Sequence, residues 1–113
     1  MGFSDKMSWM EIVVCSPRNG KDARLLRLLE YRASRKMDRE GCVNAWVGTA
    51  VDESGVFLAC AIFEDEAAWG RISETVNAAS DKRDGGLEAI MTGPPLVGVF
   101  QIPSQAVPYD DVG

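Results

Sequence analysis

The side chains that could do chemistry in this sequence lie within its apolar, strand-like runs. Glu11 is the one polar residue in WMEIVVC (residues 9–15). A carboxylate held among apolar side chains on a central strand could act as a general base. The alternative interpretation is a carboxylate at an interface, paired with an arginine of a partner chain.

Asn44 and Trp46 form a second candidate pair. They lie two positions apart in CVNAWVGTAV (residues 42–51), so their side chains point to the same side of a strand. Asn44 could donate a hydrogen bond to an oxyanion while Trp46 stacks on an aromatic ligand. The alternative is a polar residue on an edge strand beside an indole that packs in the core or in a dimer interface, since large aromatic residues usually serve packing first.

Three further residues could line a binding site. Tyr31 could supply a phenol hydroxyl, or lie on the flank of a helix with its hydroxyl in water. Trp69 could form a cavity wall or pack against the sheet, and Gln101 could line the sheet or lie on the surface. Three polar residues of the second predicted helix are expected to be exposed: Arg71, Ser73 and Asn77.

Composition excludes several classes of site. The chain has 113 residues and no histidine. This removes histidine bases, serine or cysteine triads, histidine-ligated haem and most zinc sites. The cysteines form no CxxC pair and lie in apolar runs, where a thiol behaves as a small hydrophobic group: Cys15, Cys42 and Cys60.

The charge of the chain argues against nucleic acid as a partner. The formal net charge is -5, whereas phosphate contacts require clustered lysine and arginine. Seven of the twelve basic residues nevertheless lie within residues 21–39: Lys21, Arg24, Arg27, Arg32, Arg35, Lys36 and Arg39. We expect this segment to be the solvated face of a helix. A surface that binds phosphate or acidic groups is the alternative.

The length predicts a single domain (residues 1–113), with a core at about residues 9–102 and a C-terminal tail at 103–113. No secretory signal is recognisable, and no apolar run approaches the roughly 20 residues of a membrane span. We therefore expect a cytoplasmic protein that does not associate with membranes.

Hydrophobic periodicity and turn residues predict six elements in the order strand, helix, strand, strand, helix, strand. Their predicted ranges are 9–15, 21–39, 42–51, 56–63, 65 to about 80, and 96–102, with one extra helical turn at 87–91. Asn19 is the predicted N-cap of the first helix, and Asp65 that of the second. The first helix should bury an apolar stripe that comprises Leu25, Leu26, Leu29, Ala33 and Met37.

This order predicts an α+β, ferredoxin-like β-α-β-β-α-β fold, in which two helices cover one face of a four-stranded antiparallel sheet. The third strand, VFLACAIF (residues 56–63), is apolar on both sides. A sheet face left uncovered by helices would therefore be apolar, and an exposed apolar face of that size is an association surface. We expect a homodimer in which the open sheet faces of two copies pack together.

Residues 40–69, EGCVNAWVGTAVDESGVFLACAIFEDEAAW, and the closing strand LVGVFQI (residues 96–102) resemble the antibiotic biosynthesis monooxygenase family of the dimeric α+β barrel superfamily. The resemblance spans roughly residues 9–102. It implies an enzyme that oxidises a small aromatic, phenolic or quinol compound with O₂ and uses no flavin, metal or other cofactor. Several catalytic relatives are expected to carry an asparagine that faces the cavity on the first strand. In this chain that strand reads WMEIVVC, and Glu11 is its one polar residue.

The resemblance leaves other functions open. One related branch degrades haem through a histidine, which this chain lacks. A non-catalytic dimeric module that binds a small molecule or has a structural role would fill the space between helices and sheet with Trp46, Trp69 and phenylalanine side chains. An isomerase would need a buried acid or base such as Glu11 in that space.

Overall fold

A computed structural model describes residues 6–107 and confirms the predicted fold class. Six main elements follow one another in the order β-α-β-β-α-β: β1 (Met7–Cys15), α1 (Asp22–Met37), β2 (Cys42–Thr49), β3 (Phe57–Phe63), α2 (Glu66–Asp84) and β4 (Leu96–Pro103). Two short 3₁₀ turns, Glu88–Ile90 and Ser104–Ala106, precede and follow β4. The first of them is the extra helical turn that the sequence predicted.

The four strands form one antiparallel sheet in the order β2-β3-β1-β4. Alternate residues of the two central strands face the helices, beginning with Trp9 on β1 and Phe57 on β3. The core on this side comprises two clusters. One contains Cys15, Leu25, Leu29 and Phe57, and the other contains Ala61, Phe63, Ile72 and Val76.

The two helices begin in different ways. The Asp65 side chain accepts a hydrogen bond from the backbone N–H of Ala68 at 2.9 Å, which confirms the predicted N-cap of α2. The N-cap position of α1 is Lys21, and no side chain caps this helix. The prediction of Asn19 as its N-cap was wrong, because the chain enters the helix two residues later through a turn closed by the backbone of Arg18 and Lys21.

The buried stripe of α1 differs from the predicted one. Four residues at helical spacing are buried: Leu25, Leu28, Leu29 and Arg32. Met37, which we expected inside, is 46% exposed. Because four leucines lie between positions 25 and 29, this segment offers two overlapping apolar stripes. The structure buries the stripe that continues into Arg32.

Arg32 is therefore a buried cation and not part of a solvated helix face. Its Nη2 donates to Asp84 Oδ1 at 3.1 Å and lies 3.0 Å from Asp81 Oδ1. The Asp84 side chain is only 4% exposed. These pairs compensate the buried charges and fasten α1 to the last turn of α2.

The opposite side of the sheet, called here the open face, is not covered by either helix. Three rows of side chains that pair across the strands form it: Asn44, Ile62, Met10 and Phe100; Trp46, Cys60, Ile12 and Gly98; Gly48, Leu58, Val14 and Leu96. Asn44 is the one polar residue in these rows. Phe100 is 52% exposed and Leu96 73% exposed, so a large apolar surface faces solvent in the single chain.

The predicted tail begins as part of the packed structure. Ser104 and Val107 are buried, and the Ser104 hydroxyl lies 2.9 Å from that of Ser8. Residues 1–5 lie outside the described residues, and so do residues 108–113, which make up the rest of the predicted tail. Among residues 6–107, none of the helices combines the length and apolar character needed to cross a bilayer.

Gly41 allows α2 to approach the start of β2. Its φ is +107°, and a Cβ placed on it would lie 2.9 Å from the Cβ of Ala68. A side chain at this position would therefore meet both backbone strain and a clash with a buried residue.

We predict that Gly41→Ala lowers the free energy of unfolding by about 1 kcal/mol from backbone strain and a further roughly 1–3 kcal/mol from overpacking. Gly55→Ala is the matched control, because Gly55 also has a positive φ but an added Cβ would touch nothing within 4 Å. Urea unfolding followed by tryptophan fluorescence measures both losses. Equal losses for the two variants would contradict the close approach at Gly41.

We predict that Arg32→Met destabilises the protein by about 3–5 kcal/mol, because it leaves the buried Asp84 carboxylate without its partner. Arg35→Met is the control. Arg35 lies 3.8 Å from Asp38 in a pair that is at least half exposed, and such pairs contribute about 0–1 kcal/mol. Similar unfolding free energies for the two variants would show that Arg32 is not a structural cation.

Candidate active site

A cavity of about 290 Å³ lies between the helices and the sheet. This volume is close to the lower end, about 300 Å³, of the range for small-molecule sites. Apolar side chains form most of the walls, among them Val13, Leu29 and Val97. Five polar residues also border the cavity: Glu11, Arg32, Lys36, Asn77 and Asp81.

Glu11 lies at the junction of the two core clusters. Along β1, Val13 packs against one cluster and Trp9 against the other, and Glu11 lies between them on the same side of the strand. Its opposite neighbours across the sheet are Ala61 and Val99. The Glu11 carboxylate is buried.

Each oxygen of the Glu11 carboxylate has its own partner. Oε2 accepts a hydrogen bond from the indole Nε1 of Trp69 at 3.0 Å, and Oε1 lies 3.5 Å from Lys36 Nζ. The Trp69 ring stacks on Trp9 with 5.6 Å between ring centroids, which fixes the indole that holds Oε2. The carboxylate is therefore positioned by one strong and one longer contact.

Lys36 extends from α1 into the same cavity. Its side chain is 12% exposed. Its pair with Glu11 is long for a charged hydrogen bond, which is usually about 2.7–2.9 Å. An ammonium has three N–H donors, and Glu11 is the one partner of Lys36 among the described residues. The remaining donors can serve a ligand that enters the cavity.

The structure brings Glu11 to the cavity and places two other predicted site residues on the open face. Asn44 is exposed, and its Oδ1 accepts a hydrogen bond from the N–H of Ala45. Trp46 lies opposite Cys60 on the neighbouring strand, and both residues are among those that border the cavity. The Trp46 indole nevertheless lies on the open face. Side chains alternate along β2, and its neighbours Ala45 and Val47 pack on the helix side.

The other predicted site residues do not line the cavity. The guanidinium of Arg83 lies over the Tyr31 ring, 3.9 Å from the ring centroid, and both residues line a separate groove. Gln101 is exposed on β4. Trp69 contacts Glu11 and does not line the cavity itself. Asn77 is exposed as expected but borders the cavity, whereas Ser73 is buried, contrary to expectation.

Sequence reasoning missed Arg32 and Lys36 as residues of the cavity. We expected the basic segment to be a solvated helix face, and this holds for its other members, which are exposed: Lys21, Arg24, Arg27, Arg35 and Arg39. The spacing of these two residues along the helix was the signal that could have revealed them. Arg32 and Lys36 continue the stripe of Leu25, Leu28 and Leu29 at i+3 and i+4 steps.

The three cysteines are free thiols. Burial raises the pKa of the Cys15 thiol, an effect that the charge of Arg32 partly offsets, and burial also raises the pKa of Cys60. Burial also raises the pKa of the Cys42 thiol, and the nearby positive charge of Lys36 offsets part of this increase. The thiols therefore stay protonated at neutral pH and serve packing. Within residues 6–107, no three Asp, Glu or Cys side chains come together as metal ligands.

Comparison with known proteins identifies the fold. No family model and no curated protein matches the chain. A Nitrosomonas europaea protein named as a candidate antibiotic biosynthesis monooxygenase has a TM-score of 0.75 at 11% identity, over 92% of this chain and 97% of that chain. A similarly named Caulobacter crescentus protein has a TM-score of 0.71 at 16% identity, over 84% and 89%.

A third similar structure has a described activity. It is a point mutant of SnoaB from Streptomyces nogalater, a cofactor-independent oxygenase. The TM-score is 0.68 at 17% identity, over 82% of this chain and 90% of that chain. At these identities the likeness shows the fold alone. The chain thus has the ferredoxin-like fold seen in structures named as antibiotic biosynthesis monooxygenases, in agreement with the resemblance in its sequence.

Proposed function

We propose that this protein is a cofactor-independent monooxygenase that oxidises a small phenolic or quinol compound with O₂. The observation that carries the proposal is the Glu11 carboxylate, held by Trp69 and Lys36 at the border of a mostly apolar cavity. The fold shared with SnoaB supports the reaction class.

A phenolic hydroxyl complements the Glu11–Lys36 pair. The hydroxyl can donate to the carboxylate and accept from the ammonium, while apolar walls such as Leu29 and Val97 contact the ring. A group that only donates or only accepts would satisfy one member of the pair and leave the other unmatched. The volume of about 290 Å³ favours a compound of one or two rings.

The chemistry begins with proton transfer. Glu11 takes the phenolic proton, and the positive charge of Lys36 stabilises the phenolate. The electron-rich ring then transfers an electron to O₂, and recombination joins the oxygen to a ring carbon as a peroxide anion. Glu11 returns its proton to this anion, which gives the neutral hydroperoxide. Loss of water then removes the hydrogen of that carbon together with the outer oxygen as OH, and the inner oxygen remains on the ring as a quinone carbonyl. The substrate supplies all the electrons, so the overall reaction is phenol plus O₂ to quinone plus water.

We predict that the protein accelerates oxygen uptake with 1-naphthol and forms 1,4-naphthoquinone. Glu11→Gln should reduce the rate by about 10²–10⁴-fold, the usual contribution of a positioned base. Glu74→Gln, at an exposed site on α2, is the matched control and should keep full activity. With ¹⁸O₂, one labelled atom should enter the quinone.

An oxygen electrode and mass spectrometry provide both measurements. Equal rates for wild type and Glu11→Gln would remove Glu11 from the mechanism. No uptake across a panel of naphthols and quinols, together with saturable binding of the same compounds, would replace the enzyme with a small-molecule-binding module.

We also propose that two copies associate through their open faces. Phe100, Leu96 and Trp46 expose apolar surface on this side of the sheet, and a symmetric partner presents the same surface in return. We further propose a cytoplasmic location, because the three unpaired thiols suit a reducing compartment.

We predict a dimer in sedimentation velocity experiments at micromolar concentration. Phe100→Asp places a charge in the apolar surface and should shift the protein to the monomer. Val51→Asp is the control, since Val51 is fully exposed in the turn between β2 and β3, away from the open face. A monomeric wild-type protein would overturn the proposed dimer.

A further inference from the structure

The chemistry that Glu11 and Lys36 can perform does not depend on oxygen. A carboxylate in reach of a substrate proton, beside a cation and bordered by apolar walls, is the set of groups that removes a proton from a carbon next to a carbonyl. The carboxylate accepts the proton, and the cation stabilises the negative charge that develops on the carbonyl oxygen.

We propose that the same cavity catalyses keto–enol proton transfer on small cyclic ketones without any change of oxidation state. The inference shares with the proposed oxygenase the assignment of Glu11 as the base, and it needs neither O₂ nor a cofactor. The ligand class is a one- or two-ring ketone with an acidic C–H beside the carbonyl.

The step moves one proton and no net electrons. Oε1 of Glu11 takes the proton from the carbon next to the carbonyl, and the C–H electron pair becomes the C=C bond of the enolate. The C=O π pair moves to the oxygen, which accepts a hydrogen bond from Lys36 Nζ. Glu11 then returns the proton to the oxygen, to give the enol, or to a carbon, to give the ketone or its isomer.

The geometry favours Glu11 over the other carboxylate that borders the cavity. Asp81 lies 3.0 Å from Arg32 Nη2, and its side chain is 57% exposed, so water screens it. The Trp69 indole N–H donates to Oε2 of Glu11, whereas Oε1 has a single polar contact, to Lys36 Nζ at 3.5 Å. Oε1 is therefore the oxygen with capacity for a new proton.

Trp69 acts as a positioning residue in this scheme. Its indole N–H holds Oε2, and stacking on Trp9 keeps the indole in place. Trp69→Phe preserves most of the packing and removes the hydrogen bond. It should therefore reduce the rate of proton transfer more strongly than it weakens ketone binding.

The experiment measures deuterium uptake into 2-tetralone by NMR, in D₂O without oxygen. Wild-type protein should accelerate exchange above the buffer rate, and Glu11→Gln should lose roughly 10²-fold or more of that acceleration. Lys36→Met should also lose most of it. Glu74→Gln is again the matched control, and thermal unfolding of each variant verifies that it folds.

The outcomes separate this inference from the oxygenase. Exchange that depends on Glu11 and Lys36, without oxygen uptake on any naphthol, supports proton transfer and rejects the oxygenase. Oxygen uptake without accelerated exchange on 2-tetralone and related two-ring ketones overturns this inference and leaves the oxygenase standing. Equal exchange by wild type, Glu11→Gln and buffer also overturns it. If Glu11→Gln fails to fold, loss of exchange in a folded Lys36→Met supports the inference and unchanged exchange overturns it.

Discussion

The need to compensate buried charge organises the space between the helices and the sheet. Helix α1 directs two cations inward one turn apart, Arg32 and Lys36, and each meets a carboxylate. Arg32 pairs with Asp84 and ties α1 to α2, whereas Lys36 pairs with Glu11 and ties α1 to β1. An isolated buried charge would cost several kcal/mol, so these pairs constrain how the three elements can pack.

The cavity follows from the same constraint. Glu11 separates the two apolar clusters of the core, and the neighbouring positions Ala33 and Ala59 are small. A polar group at this point prevents the clusters from merging, because a carboxylate must keep its hydrogen-bonding partners. The result is a site in which charged groups and apolar walls lie together, and this combination suits proton-transfer chemistry.

The structures that share this fold are only 11–17% identical to the chain in the three comparisons described. The fold therefore rests on the pattern of apolar and turn residues more than on particular side chains. The chemistry depends on individual residues and differs between members of one fold. In this chain the Glu11 carboxylate is a group that can accept a proton, which an amide side chain in its place could not do.

The sequence by itself determined the order of the elements, the antiparallel sheet, the Asp65 cap and Glu11 as an unusual residue. These features depend on local periodicity, turn chemistry and flanking residues. Tertiary structure alone decided which side of each strand meets the helices. Alternation shows that Asn44 and Trp46 share a side, but only packing placed that side on the open face. Tertiary packing also decided the rotation of α1 about its axis. The closely spaced leucines of this helix allow two different buried stripes, and only one of these stripes carries Arg32 and Lys36 into the cavity.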